Sequence, residues 1–474
     1  MTHRRRLVAG LTLPFGLLAT ASLLSGAILP ANAATQAANA AALPANAAAL
    51  APGAESTKAS TAATADPVWG ITRHAHPLLS TDPVGYDVDL RAFGRMVGDA
   101  TVVGVGEATH NSHEFFTQKH RLFRYLVREK GFTTFALEGS WSTGLALDRY
   151  VVHGIGNPRE IMRREFQSAY TFWKVQEYAE LIEWMRSYNQ THARKLHFVG
   201  NDVGYAGPNV IDNVTQYVAR TRPALLAEFT RHYAGIRSDA EVQAWTDAYY
   251  TKSLAERLRI KAETEQALAL LAKFPASAER TWAIQHARVI AQVAAMFAFD
   301  VDDPTVLPKA MKFRDQAMAD NTAWWAHTTG AKVLLSAHNG HIAYESGMPA
   351  IYEKVQGAFL RETLGDRYLS VGTSFDRGSF NAFPSDEPGA PLRRFTVASA
   401  GAASNEFTLD RVPFRDYYVD LRKLPQTTRA WLSVERPTRM IGSSYPFPDA
   451  SQALASSYDV MIHLNTITAA NRLP

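Results

Sequence analysis

The sequence predicts an α/β protein with a mainly parallel central sheet flanked by helices and a helical insertion covering the carboxyl ends of the strands. Three observations predict it. Short, continuous apolar runs end in polar clusters, as strands buried on both faces do. A helical stripe between the first two runs makes a β-α-β unit. Pro208 to Asp300 then carries helical periodicity and no convincing strand.

Taken in order, residues 1–33 join a basic start (Arg4, Arg5, Arg6) to an apolar run from Leu7 to about Ile28 and the small-residue site Ala31-Asn32-Ala33. That is the build of an export signal cleaved after Ala33, with the general and twin-arginine routes both open. Residues 34–66 are Ala, Asn, Thr, Ser and Pro with almost no large apolar side chains. Such a stretch cannot offset its ordering entropy and reads as a disordered spacer. The remaining residues, 67–474, read as one α/β domain in which 208–300 is the insertion. A secreted or cell-envelope location and no stable membrane span after signal cleavage are expected.

The first strand covers Thr101 to Val105, the second Thr133 to Leu137, the third Leu196 to Gly200 and the fourth Lys332 to Ser336. Between the first two, Phe115, Phe116, Leu122, Phe123, Leu126 and Val127 fall on one helical face, stopped by Gly131. A second amphipathic helix spans about Lys174 to Tyr188. In the insertion, Trp282, Val289, Ile290, Val293, Met296 and Phe297 repeat at helical spacing; a roof of such helices would grip a bulky apolar substrate. Further strands are expected at Tyr368 to Gly372 and Tyr458 to Leu464, with the segment between them unplaced.

Composition narrows the chemistry. A chain of 474 residues, 46% hydrophobic and 20% charged, can bury a large core. With no cysteine, disulfides, thiolate nucleophiles and Cys-ligated metals are excluded. Removing Arg4, Arg5 and Arg6 from the 49 basic groups leaves 46 against 45 acidic ones, so no nucleic-acid footprint remains and no such partner is expected.

In open α/β sheets ligands bind outside the carboxyl ends of the strands. Here those ends carry Glu107, His110, Glu138, Asp202, His338 and His341. One histidine so placed is more often a hydrogen-bonded structural residue; three histidines with two glutamates reverse those odds. A carboxylate beside a histidine raises its affinity for a proton and orients the ring, so such a histidine could take a proton from water near neutral pH. Glu114, one turn beyond His110, could orient that base or equally cap the helix start. Arg314 and Asp315 read as an internal ion pair bracing the site. Trp141, Phe172 and Trp173 read as core more than as substrate contacts.

Other motifs are missing. No Gly-x-Ser-x-Gly elbow, His-Glu-x-x-His pair or Walker A loop occurs. Gly104-Val105-Gly106-Glu107-Ala108-Thr109 half-matches a dinucleotide turn, but Thr109 replaces its third glycine and Glu107 would face the pyrophosphate.

The segments GEATH, FTTFALEGSW and SAHNGHI, continued by SYNQTHARKLHFVGND, KFRDQAMADN and YDVMIHL, resemble the erythromycin esterase family over most of Val102 to Leu464. The resemblance implies hydrolysis of a macrolactone ester by water, without a covalent intermediate. His110 is the implied general base and Glu107 its orienting carboxylate. Glu138, His338 and His341 are implied to bind and polarise the ester or its oxyanion. Lys119 stands where the family's macrolide esterases carry an arginine nine residues beyond the base; lysine keeps the charge and lacks the planar fork.

The leading expectation is therefore an ester hydrolase acting on a small-molecule ester or macrolactone with no cofactor. Two alternatives stand beside it. The same His and Glu donors could hold zinc or manganese and generate hydroxide, or the chain could be a non-catalytic envelope protein binding a glycan or a small amphiphile.

Overall fold

The computed structural model describes residues 66–474 except 301 and 302; the signal-like run, its cleavage site and the spacer up to residue 65 lie outside the described residues. The main sheet is built from β1 (His76–Pro77), β2 (Val102–Val105), β3 (Thr134–Ser140), β4 (His197–Asp202), β5 (Val333–Ser336), β6 (Tyr368–Pro384), β7 (Asp416–Asp420) and β8 (Val460–Ile467). Their order is β1-β7-β8-β6-β2-β5-β3-β4. Six neighbours, β4 through β8, run parallel, while β7 and β1 close the far edge antiparallel. Strands β2, β3 and β5 are buried along their whole length, which is why their sequences run apolar without alternation.

The chain leaves β2 through α1 (His113–Lys130), which ends at Gly131 in the left-handed region (φ 70°). Helix α2 (Trp141–His153) follows β3, and α3 (Gln176–Thr191) precedes β4. Two glycines let α2 lie directly on the sheet. A Cβ on Gly144 would come within 2.1 Å of the Gly200 nitrogen, and one on Gly200 within 1.9 Å of the Ser140 carbonyl.

Residues 208–297 form α4 (Pro208–Thr221), α5 (Leu226–Tyr233), α6 (Val242–Tyr250), α7 (Leu254–Leu271) and α8 (Ala278–Phe297). This helical block does not roof the strand ends, contrary to the sequence expectation. None of its residues lines the cavity there. Its apolar stripes are consumed in packing: α8 contacts α4, α7 and α9 (Leu307–Thr329), and Trp282 meets Trp324 and Trp325 edge-on at 5.0 and 5.5 Å. The block instead props the true roof from behind, where the Gln243 amide donates to Gln167 Oε1 at 3.1 Å.

The segment left unplaced in sequence opens as a continuation of β6 and later holds β7. The 17-residue β6 carries Gly378 at φ 133°, where a Cβ would meet the Ile467 carbonyl, and then pairs with Arg393–Val397 and Ser444–Tyr445. Among the described residues no helix is long and apolar enough to cross a membrane.

Candidate active site

The inner strand ends meet at one place because β5 inserts between β2 and β3. Past β2, Asn339 ties three strand ends together: its amide donates to the Glu107 carbonyl at 2.9 Å, its Nδ2 to the Thr373 carbonyl at 2.6 Å, and its Oδ1 accepts the Thr373 amide at 3.0 Å. Gly106 is required beneath it, since a Cβ there would lie 2.1 Å from Asn339 Oδ1. Asn111 pins the next residues to the roof by donating to the Phe172 carbonyl at 2.7 Å.

His110 sits on this loop, its Nδ1 2.9 Å from Glu107 Oε1. The carboxylate accepts the Nδ1 proton and so leaves the Nε2 lone pair free. Glu107 is fully buried, and its other oxygen is held by Lys119. The Lys119 ammonium also reaches Ser336 Oγ at 3.0 Å and the Ala337 carbonyl at 3.3 Å. Three acceptors for three N–H donors fit the charged form, although burial lowers this lysine's proton affinity against the pull of Glu107.

Glu138 lies at a bulge where the β3–β4 register slips between Leu137 and Ser140, which turns its side chain toward the site. Its Oε1 is 3.0 Å from Arg314 Nη2 and 3.3 Å from His341 Nε2, and its Oε2 accepts the His338 amide at 3.0 Å. Burial would raise this carboxyl, yet His341, His110 and Arg314 outweigh burial and hold it well below the usual range. Arg314 forks onto Asp202 at 2.9 and 2.6 Å.

His341 donates from Nδ1 to Asp315 Oδ1 at 2.7 Å. Burial disfavours its charged form, but Asp315 and Glu138 push it up to about 10. Its Nε2 also lies 3.2 Å from Arg314 Nη1. With the ring protonated, that approach sets donor against donor, so the Glu138 contact is the bond and the arginine is a packed neighbour.

His338 is the opposite case. Its Nδ1 accepts the Gly340 amide at 3.2 Å, so the proton of the neutral ring sits on Nε2, a buried atom with no partner among the described residues. Burial, with the nearby His110 ring, keeps it well below the ordinary imidazole range. The His110 and His338 rings are 5.0 Å apart. A point beside Gly442, where its Cβ would be, is 3.9 Å from His110 Nε2 and 3.8 Å from His338 Nε2. One lone pair and one N–H thus address the same small space.

The cavity over these groups is walled by Phe172, Trp173, Met348, Ile351, Tyr352 and Ile441. Three irregular segments supply the roof: Ser168–Trp173, the loop 343–355 and residues 439–443. Trp173 meets His110 edge-on at 5.2 Å and donates Nε1–H to the Glu138 carbonyl at 2.8 Å.

Glu107, His110, Glu138, Asp202, His338, His341, Lys119 and Arg314 therefore come together. Glu114 does not. Its carboxylate accepts the Thr468 amide and hydroxyl at 2.6 and 2.8 Å, so it neither orients His110 nor caps α1 and instead ties α1 to the end of β8. Arg314 and Asp315 do not pair with each other; as successive residues of α9 they point apart, one to Asp202 and Glu138, the other to His341. Phe172 and Trp173 line the cavity, whereas Trp141 is core. Asp315 does brace the site as expected, through His341 in place of Arg314, whereas Asn339 and Asn111 were not singled out in the sequence.

Both oxygens of Glu107 and Glu138 and both nitrogens of His341 are committed to protein partners, and among the described residues no three His, Asp or Glu groups are placed to hold an ion.

The sequence matches the family model described as Erythromycin esterase over residues 127–467. A curated erythromycin esterase type II from Escherichia coli is 24% identical over 388 residues, covering 76% of this chain and 89% of the relative. A crystal structure of a succinoglycan biosynthesis protein is 30% identical with a TM-score of 0.76, covering 86% of this chain and 98% of that one. A mutant of the erythromycin esterase EreC in its open conformation, 17% identical, superposes with a TM-score of 0.66 over 84% of this chain and 98% of that one, a likeness of fold.

Proposed function

This chain belongs to the erythromycin esterase family, a family of ester-hydrolysing enzymes, and on that premise we propose that it is an exported, metal-independent hydrolase of a lactone or ester with His110 as general base. The unpartnered Nε2–H of His338, facing the same space as the free Nε2 of His110, is the observation that carries the reading. A water there gives a proton to His110 Nε2 as its oxygen attacks the ester carbonyl. Glu107 steadies the imidazolium that forms, and Lys119 fixes Glu107. The carbonyl oxygen becomes an oxyanion beside the neutral donor of His338 and the His341 cation. Collapse returns the proton from His110 to the departing alkoxide, so acid and alcohol leave with no covalent intermediate.

The charges support this cycle. Glu107, Glu138, Asp202 and Asp315 face Lys119, Arg314 and His341, which leaves one negative charge in a buried site until His110 takes its proton. The apolar cavity walls fit a substrate that is largely hydrocarbon around its ester, and a macrolactone is the substrate that the E. coli relative's name suggests. The basic start, apolar run and Ala31-Asn32-Ala33 support export. The test is mass spectrometry of purified protein with macrolides and simple aryl esters. Addition of one water to a macrocycle is the expected product; unchanged macrolides beside cleaved aryl esters would confine the activity to simpler esters.

A further inference from the structure

At the other end of the sheet, where β3 and β4 begin, lies a second cavity of about 570 Å³. Five residues separate Thr133 on its wall from Glu138, so the two sites are roughly 15–20 Å apart along the strand. It is large enough for a small organic ligand. One wall is the corner made by Trp282 and Trp325, whose rings meet at 78° with centroids 5.5 Å apart. Trp325 spends its N–H on Thr134 Oγ1 at 2.9 Å, and Trp282 keeps its own without a hydrogen bond to any described residue.

The charged side carries Arg194, Lys195 and His197 with one carboxylate, Asp148. Arg194 lines the cavity, is exposed and makes no ion pair with any described residue. Lys195 is already tied to the carbonyls that end α3, at 2.5 and 2.8 Å. His197 turns its Nδ1 to the Asp148 carboxylate at 3.1 Å, which leaves Nε2 to face outward, and its ring meets Trp325 edge-on at 5.8 Å. Asp148 is itself held by the Phe198 amide at 2.9 Å, so the histidine is fixed in place. A flat hydrophobic corner with an unpartnered guanidinium and, because Asp148 raises the proton affinity of His197 against burial, an imidazolium Nε2–H beside it matches a ring on one side and an anion on the other.

We propose that this groove is a binding site for a six-membered ring bearing a carboxylate, lodged in the Trp282–Trp325 corner with its carboxylate between Arg194 and His197. Nothing in the catalytic cycle uses these residues. A sugar acid and an aromatic acid share the chemistry, and the assay separates them.

Calorimetric titration of the full chain with glucuronate, phenylacetate, glucose and acetate tests the site. One or both of the first two should bind, with glucose and acetate at least tenfold weaker. Binding by glucuronate alone identifies a sugar acid, and by phenylacetate alone an aromatic acid. Arg194→Gln, at an exposed position, should weaken that binding at least tenfold and leave ester turnover unchanged, and His110→Gln should leave the binding intact. The proposal is overturned if neither acid binds, if glucose binds equally, if Arg194→Gln changes nothing, or if His110→Gln abolishes binding and so places it in the catalytic cavity.

Discussion

His341 is a histidine turned into a fixed cation by two carboxylates, and this has a measurable consequence. Its proton affinity rises from an ordinary imidazole value to about 10 on folding. Stability from this group is therefore complete below about pH 6.5 and is lost as the pH climbs through 10. At about 1.4 kcal/mol per unit this is a few kcal/mol. Denaturant titrations of wild type should show stability falling over that window, and His341→Gln should flatten the fall; an equally steep loss in the variant would refute the assignment. Asp315→Asn removes the nearer carboxylate, so the alkaline limb of the turnover profile should move to lower pH. The six strand-end residues were legible in sequence because each follows a short apolar run, where an ionisable group has few structural uses. The partner of Asp315 was not, because it lies 26 positions away on a different element and a helix residue's heading is set by packing.

At the scale of elements, close backbone contact and buried charge set the limits. Gly144 lets α2 lie against β4, and the Cβ of Gly144→Ala would strike the Gly200 backbone. Backbone cannot yield as a side-chain tip can, so the variant should lose roughly 2–4 kcal/mol in chemical denaturation; a loss within about 0.5 kcal/mol would mean that α2 sits farther off. Glu406 anchors a roof segment by accepting the Arg439 amide at 2.9 Å, while its Oε2 has no partner among the described residues. Burial pushes this carboxyl up to about 7. A carboxyl raised on folding destabilises as it ionises, so stability should drop as pH rises from about 4.5 through 7. Glu406→Gln keeps an acceptor for Arg439 and removes the charge. It should gain on the order of 2–3 kcal/mol at pH 8 and little at pH 4; no gain at pH 8 would contradict the buried charge. The strands and α1 were readable from their periodicity. The roof was not, because Ser168–Trp173, the loop 343–355 and residues 439–443 have no period and take their shape from what they cover.

For the whole molecule, the parallel sheet gathers charges from β2, β3, β4 and β5 and from α1 and α9 into one buried cluster. The helical block at 208–297 shows how far sequence reasoning reaches: its helices follow from periodicity, but which face of the sheet it covers depends on where its tryptophans find partners. On the proposed reading, His110 draws a proton from water within this cluster and needs no metal. The most direct test of that reading is turnover of a cleaved ester by wild type and His110→Gln after exhaustive chelation, with melting curves for both. The account predicts full wild-type activity and a loss of roughly 10²–10⁴-fold in a variant that melts within a few degrees of it. Comparable turnover by His110→Gln, or a wild type that is silent until one divalent ion is restored, would contradict it.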